Sequence, residues 1–302
     1  MAFLLAPFQR LCCTESNAEE MQNTYDEAPR RRPGFAEEQV QSQPWNNAAK
    51  PSAAVAGGEL QSDLLERPEV EVEGGAKYRG QWKGNHRHGQ GLLTRPDGQS
   101  YQGSFQNSQA HGHGVFRAAN GNTYEGQWEC DRAHGFGKYV HVDGSTYEGE
   151  WVHDEKSGQG IETWADGARY TGEFLHGSKH GNGIYTSGRG VTFEGQFKQD
   201  KMDGQGSYTF ADGRVYNGQW KAGHMNGQGK MQWPNGSVYE GGYRDDMKDG
   251  EGTFTWPDGR VYRGQWKAGK QDGKGATIDD KGVEQHGVWS KGERLPAAPS
   301  AP

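Results

Sequence analysis

From Tyr78 onward, large and bare positions alternate with polar ones, and the whole pattern restarts every 23 residues. The restarts are Tyr78, Tyr101, Tyr124, Tyr147, Tyr170, Phe193, Tyr216, Tyr239 and Tyr262, nine units without an insertion. Counting each first ring as offset 0, offset 2 is glycine in all nine units. Offset 4 is always a ring: Trp82, Phe105, Trp128, Trp151, Phe174, Phe197, Trp220, Tyr243 and Trp266. Polar residues such as Glu125 and Gln127 stand between them. A spacing of two predicts a strand whose rings and glycines share one face. Offsets 11 and 13 are again glycine throughout, starting with Gly89 and Gly91. Offset 15 is mostly large, as in Leu93, Phe116, Tyr139, Tyr185, Tyr208, Met231 and Phe254, and offset 17 includes Trp164, Phe210, Trp233 and Trp256. Thr94, Thr163, Thr186, Thr209 and Thr255 at offset 16 suit the opposite, exposed face of this second strand.

Turn chemistry sets the register. Offset 20 is always glycine, and three units read Pro96-Asp97-Gly98, Pro234-Asn235-Gly236 and Pro257-Asp258-Gly259. Proline presets φ for the first turn position and glycine accepts the left-handed one. This predicts a three-residue loop with a glycine bulge; a two-residue Asp-Gly loop is the competing assignment. The two differ by one residue, which reverses a strand's faces. Only the three-residue loop sets offset 15 against the next offset 0, 13 against 2 and 11 against 4. Glycines then face glycines and large rings, so that a ring can lie flat over bare backbone.

A fixed period of this length marks a stacked-repeat architecture. The expected fold is all-β: an elongated single-layer antiparallel sheet of nine β-hairpin repeats, each adding about 9–10 Å of width. The expected organisation is a disordered extension over residues 1–73, the array over 74–292 and a disordered tail over 293–302. His286-Gly287-Val288-Trp289 matches offsets 1 to 4 and reads as a closing strand, after a ninth unit with Thr277 and Asp279 where rings are expected.

Composition narrows the chemistry. Hydrophobic residues make up only 31% of the 302, while rings reach 11% and glycines number 49. That is poor for a two-layer core, so rings must supply the buried area. Residues 1–73 hold 13 acidic and 6 basic side chains and so carry the whole net charge of −7; the remainder balances at 27 of each. A neutral array lacks the basic face that nucleic acid requires. Three cysteines, Cys12, Cys13 and Cys130, give no disulfide framework, and a reducing, cytoplasmic compartment follows. No apolar run has transmembrane length, and Ala2 stands where N-myristoylation needs glycine.

Tyr-Glu-Gly-Gln-Trp (124–128), Tyr-Asn-Gly-Gln-Trp-Lys-Ala-Gly-His-Met-Asn-Gly-Gln-Gly (216–229) and Pro-Asp-Gly-Arg-Val-Tyr-Arg-Gly-Gln-Trp (257–266) resemble the MORN (membrane occupation and recognition nexus) repeat. The resemblance covers residues 78–289. It implies an elongated single-sheet array acting as a scaffold at cytoskeletal, ciliary or membrane junctions, where family members bind a partner helix on the aromatic face or dimerise. Similar repeats precede phosphatidylinositol-phosphate kinase and SET methyltransferase domains in some relatives. Neither fits the few residues after Gly292.

Candidate chemistry is sparse. His88, His111, His134 and His180 share offset 10, about 10 Å apart from unit to unit, too far for one ion. Ser157, Asp203 and Asn226 occupy the same offset, so a polar turn role is expected and no metal site. The pairs His86/His88 and His111/His113 lack carboxylate or thiolate company. Gly89-Gln90-Gly91 opens no helix and no Gly-Lys-Ser/Thr follows, which excludes a phosphate loop. Glu148, Glu150 and Glu173 are assigned to the solvated face, and no catalytic residue or cofactor is expected. Cys12 and Cys13, beside Phe3, Leu4, Leu5, Phe8 and Leu11, are candidates for double S-acylation, which anchors far better than one chain.

The expected activity is a non-catalytic scaffold that binds a protein partner, or a second copy, over the nine offset-4 rings. The basis is that a one-layer sheet leaves its apolar face uncovered. The alternative is a lipid-recruitment module, or a regulatory chain like the repeats beside phosphoinositide kinases.

Overall fold

The computed structural model describes residues 64–296; Cys12, Cys13, most of the acidic extension and the end of the tail lie outside that range. The described residues form one sheet of 21 strands, β1 to β21. Each strand pairs antiparallel with the next in sequence, from β1 (Leu65–Glu71), β2 (Lys77–Lys83), β3 (His86–Thr94) and β4 (Ser100–Gln106) to β20 (Glu284–Ser290) and β21 (Glu293–Arg294).

The three-residue loop is the one adopted. Leu93 faces Tyr101, Gly91 faces Gly103 and Gly89 faces Phe105. The Gly98 N–H donates to the Arg95 carbonyl at 3.0 Å, the Arg95 N–H donates to the Gln99 carbonyl at 2.8 Å, and Gly98 has φ +89°. That is a type I turn closed by a glycine bulge. Within each unit a two-residue turn joins the strands, with left-handed residues such as Asn107 (φ +51°) and Ser108 (φ +70°). Its second residue donates back to the preceding unit: Ser108 to the Arg87 carbonyl at 2.8 Å, Asp154 to that of Ala133 at 3.0 Å. Each turn is therefore held by the unit before it.

The glycines do what the register predicts. A Cβ on Gly91 would lie 2.4 Å from the Tyr78 ring, and one on Gly80 would lie 2.5 Å from Gly91 Cα. The tyrosine thus rests on two bare strands. Its hydroxyl donates to the carbonyl three residues on, Tyr78 to Gln81 at 2.8 Å and Tyr239 to Gly242 at 2.9 Å. Burial pushes the Tyr78 phenol up to about 12, so these hydroxyls stay protonated donors at neutral pH.

An enlarged bulge interrupts every unit. Gly80 faces Gly91 and Trp82 faces Arg87, so three residues of β3 stand against Gln81 alone. The Gln81 carboxamide fills the gap by accepting the Gln90 N–H at 2.7 Å. Gln127, Gln196, Gln219 and Gln265 act likewise, as do the carboxylates of Glu150 and Glu173. Glu150 is exposed and Glu173 half-buried on the polar face, and both also serve as structural acceptors. Bulges bend strands and strengthen their twist.

The sheet also begins earlier than the sequence indicates. β1 lies inside the stretch assigned to the disordered extension, and it covers the outer edge of β2. It carries no 23-residue period because it caps the array: Val70 faces Tyr78, and the Arg67 guanidinium sits 4.8 Å from the Trp82 ring centroid. Pro68 and four charged residues blunt the new outer edge against further pairing. The closing strand is present as β20, with the short β21 beyond it.

Candidate functional site

The ring-bearing face holds two rows. The inner row is a continuous chain of edge-to-face contacts. Tyr78 meets Trp82 and Phe105, Tyr101 meets Phe105 and Trp128, and Tyr124 meets Trp128 and Trp151. The same zigzag runs to Tyr262 and Trp289, with centroids 5.0–5.5 Å apart throughout. This is the geometry that ring quadrupoles favour, worth roughly 0.5–1.5 kcal/mol per pair beyond burial. Indole N–H groups tie units together, Trp128 donating to the Gly114 carbonyl and Trp151 to that of Gly137, each at 3.1 Å.

This row is sealed, and here the sequence expectation is corrected. Trp82, Phe105, Trp128, Trp151, Phe174, Phe197, Trp220, Tyr243 and Trp266 are only 1–7% exposed. The sequence reading left the apolar face of a one-layer sheet uncovered. In the structure each ring is covered by its neighbours along the ribbon, and the side chains themselves make the second layer. Ala110, Ala133, Lys156 and Met225 at offset 9 close one border.

The outer row is what solvent reaches. Trp164, Tyr185, Phe210, Trp233, Phe254 and Trp256 are half-buried and pack against the inner row. They gather in the later units, because offset 17 in the first three is Arg95, Ala118 and His141. Cations lie against these rings: Lys179 Nζ 5.0 Å from the Trp164 centroid, Arg214 Cζ 4.5 Å from Phe210, Arg260 Cζ 5.6 Å from Trp256. Arg214 and Arg260 also pair with Asp212 and Asp258, and Lys179 with Asp200.

Lys248 differs. Its Nζ lies 4.6–5.1 Å from the centroids of Trp233, Tyr239, Phe254 and Trp266, and no carboxylate among the described residues pairs with it. Burial pushes the amine down to about 8 from its ordinary 10.5. Below that pH the fold must hold a partly desolvated charge, a cost the four ring faces offset in part. Because the folded pKa is depressed, stability is lowest below about pH 8 and rises towards 10.5. Met202 and Met225 occupy the same offset two and one units earlier. Lys248→Met is expected to stabilise the chain at pH 7 by about 1–2 kcal/mol. Denaturant titrations of both proteins from pH 7 to 10.5 check this: the difference shrinks as pH rises.

The opposite face is polar and open, with a shallow depression lined by Gln205, Asn217, Gln228, Lys230 and Glu240. Exposed apolar residues there and at the edges, such as Phe136 and Ile184, are scattered. Gly89 and its equivalents lie in strand bulges, not at a helix start. No helix among the described residues is long and apolar enough to cross a membrane.

Comparison with known proteins follows the repeat. The MORN repeat profile matches residues 78–100, 101–123, 124–146, 147–169, 170–192, 193–213, 216–238, 239–259 and 262–282. No curated protein matches the chain. Among solved structures, the TCP10 domain of Danio rerio CPAP aligns at 12% identity over 76% of this chain and 99% of that one, with a TM-score of 0.37. The SAS-4 TCP domain of Drosophila melanogaster, in complex with a proline-rich motif of Ana2, aligns at 11% identity over 70% and 96%, with a TM-score of 0.29. A virginiamycin B lyase of Staphylococcus aureus aligns at 8% identity over 76% and 86%, with a TM-score of 0.16. These superpositions are too loose to bear on activity. Profile matches on nine consecutive hairpins, spanning most of the sheet, show that this chain belongs to the MORN repeat family.

Proposed function

We propose that the chain is a non-catalytic docking ribbon whose outer ring row, from Trp164 to Trp256, receives a protein segment bearing apolar side chains and carboxylates. MORN repeats are interaction modules, which supports the general class. The observation that carries the reading is the outer row itself: half-buried rings interleaved with cations beside a sealed spine. Aromatic and cationic side chains in one strip are the usual anchors of protein interfaces. Lys248 has no anion beside it among the described residues, and a partner carboxylate would relieve its desolvation.

A photo-crosslinking amino acid in place of Trp233, and separately in place of Phe136 on the other face, tests the reading in cells. Protein adducts at Trp233 and none at Phe136 are expected. Adducts to a second copy of the chain would make self-association the use of this face. Equal labelling at both positions, or adducts to lipid alone, would overturn the proposal and favour membrane recruitment through Cys12 and Cys13.

A further inference from the structure

At the turn edge of the third and fourth units, Glu129, His134 and His153 converge. Their donor atoms all lie within 4.8 Å of one another. His134 Nδ1 stands 3.5 Å from the Glu129 carboxylate, and the two imidazole centroids are 5.3 Å apart. Backbone geometry brings them there. Glu129 ends β6 (Thr123–Glu129) and faces Arg132 across the turn, two residues before His134 on β7 (Arg132–Val140). His153 opens the next unit's turn at φ +48°. Asp154 fixes that turn against the third unit: its N–H donates to the Ala133 carbonyl at 3.0 Å, and its Oδ1 accepts the Ala133 N–H at 2.8 Å.

The repeat shows that these residue types are not needed for folding. Offset 5 is lysine, arginine, glutamine, valine or leucine in the other eight units, and only Glu129 is acidic. Offset 10 is Ser157 one unit later, and the turn position of His153 is Asn107 two units earlier, at φ +51°. Among the described residues the Nδ1 of His134 is buried without a hydrogen-bond partner, but so is that of His88, so the orphan nitrogen alone selects nothing. What separates His134 is the arrival of a carboxylate and a second imidazole. Two imidazoles and a carboxylate form the donor set of a zinc-type ion, with bonds of about 2.0–2.2 Å. Glu129 and His153 are exposed, so small rotations bring their donors to one centre.

The geometry points to a zinc(II) site formed by Glu129, His134 and His153, with its remaining position open to water, that ties the turn of the third unit to the turn of the fourth. The test is calorimetric titration of the untagged full chain with zinc chloride, with thermal melting alongside. Substitutions drawn from the repeat itself keep the fold: His134→Ser, His153→Asn and Glu129→Gln. One ion per chain and a rise in Tm on zinc addition are expected. Either histidine substitution should weaken binding at least tenfold and remove the Tm rise, while His88→Ser and His111→Ser leave both unchanged. Absence of binding, affinity unaltered in His134→Ser and His153→Asn, or equal loss in the two control variants would overturn the assignment.

Discussion

Gly137→Ala is expected to destabilise the array by roughly 3 kcal/mol, far beyond the usual glycine-to-alanine effect. A methyl group there would lie 2.3–2.7 Å from Oη, Cζ and Cε2 of Tyr124. Tyr124 cannot retreat without losing its hydrogen bond to the Gln127 carbonyl and its edge contacts with Trp128 and Trp151. The backbone at Gly137 is not left-handed, so the effect comes from the ring alone. Gly144→Ala is the control. Gly144 sits in a hairpin loop at φ +94° with nothing within 4 Å of a new Cβ, and backbone strain alone costs about 1 kcal/mol. Urea titrations of the two variants separate the mechanisms. Because each unit contacts only its neighbours, Gly137→Ala should also split a single unfolding transition into two.

Trp151→Ala is expected to cost about 3–5 kcal/mol. The indole is 1% exposed, lies between Tyr124 and Tyr147, and donates to Gly137 in the preceding unit. Its removal cuts the ring chain in mid-array and leaves a carbonyl unpaired. Trp256→Ala should cost about 1 kcal/mol, because that ring is half-buried and its main neighbours are Phe254 and Arg260. Hydrogen exchange provides the spatial check. Protection should fall on both sides of Trp151 in the first variant and only near residues 254–260 in the second. Comparable losses at the two sites would contradict the division into an inner and an outer row.

Much of this was legible before any coordinates. Pro96-Asp97-Gly98 and its copies specified the loop, and the loop set glycine against glycine, from which the common face follows. The bulge was not legible, because its filler at offset 3 looks like an ordinary polar strand residue; only the hydrogen bond from Gln90 to Gln81 reveals its role. Sealing of the inner row was not legible because it depends on contacts between side chains of adjacent units, which a repeat pattern does not specify. The cluster at Glu129, His134 and His153 escaped for the same reason: it joins offsets 5 and 10 of one unit to offset 6 of the next. β1 has no repeat signature, since a capping strand need match only one side.

The central claim is that inner rings fold the ribbon and outer rings bind its partner. The most direct test compares the wild-type chain with Trp164→Ser/Trp233→Ser/Trp256→Ser by quantitative proximity labelling in cells, with thermal melts of both purified proteins. The claim predicts that the variant still melts cooperatively, about 6–12 °C below wild type, and loses the wild-type set of labelled proteins. An unchanged labelled set in a folded variant would contradict it.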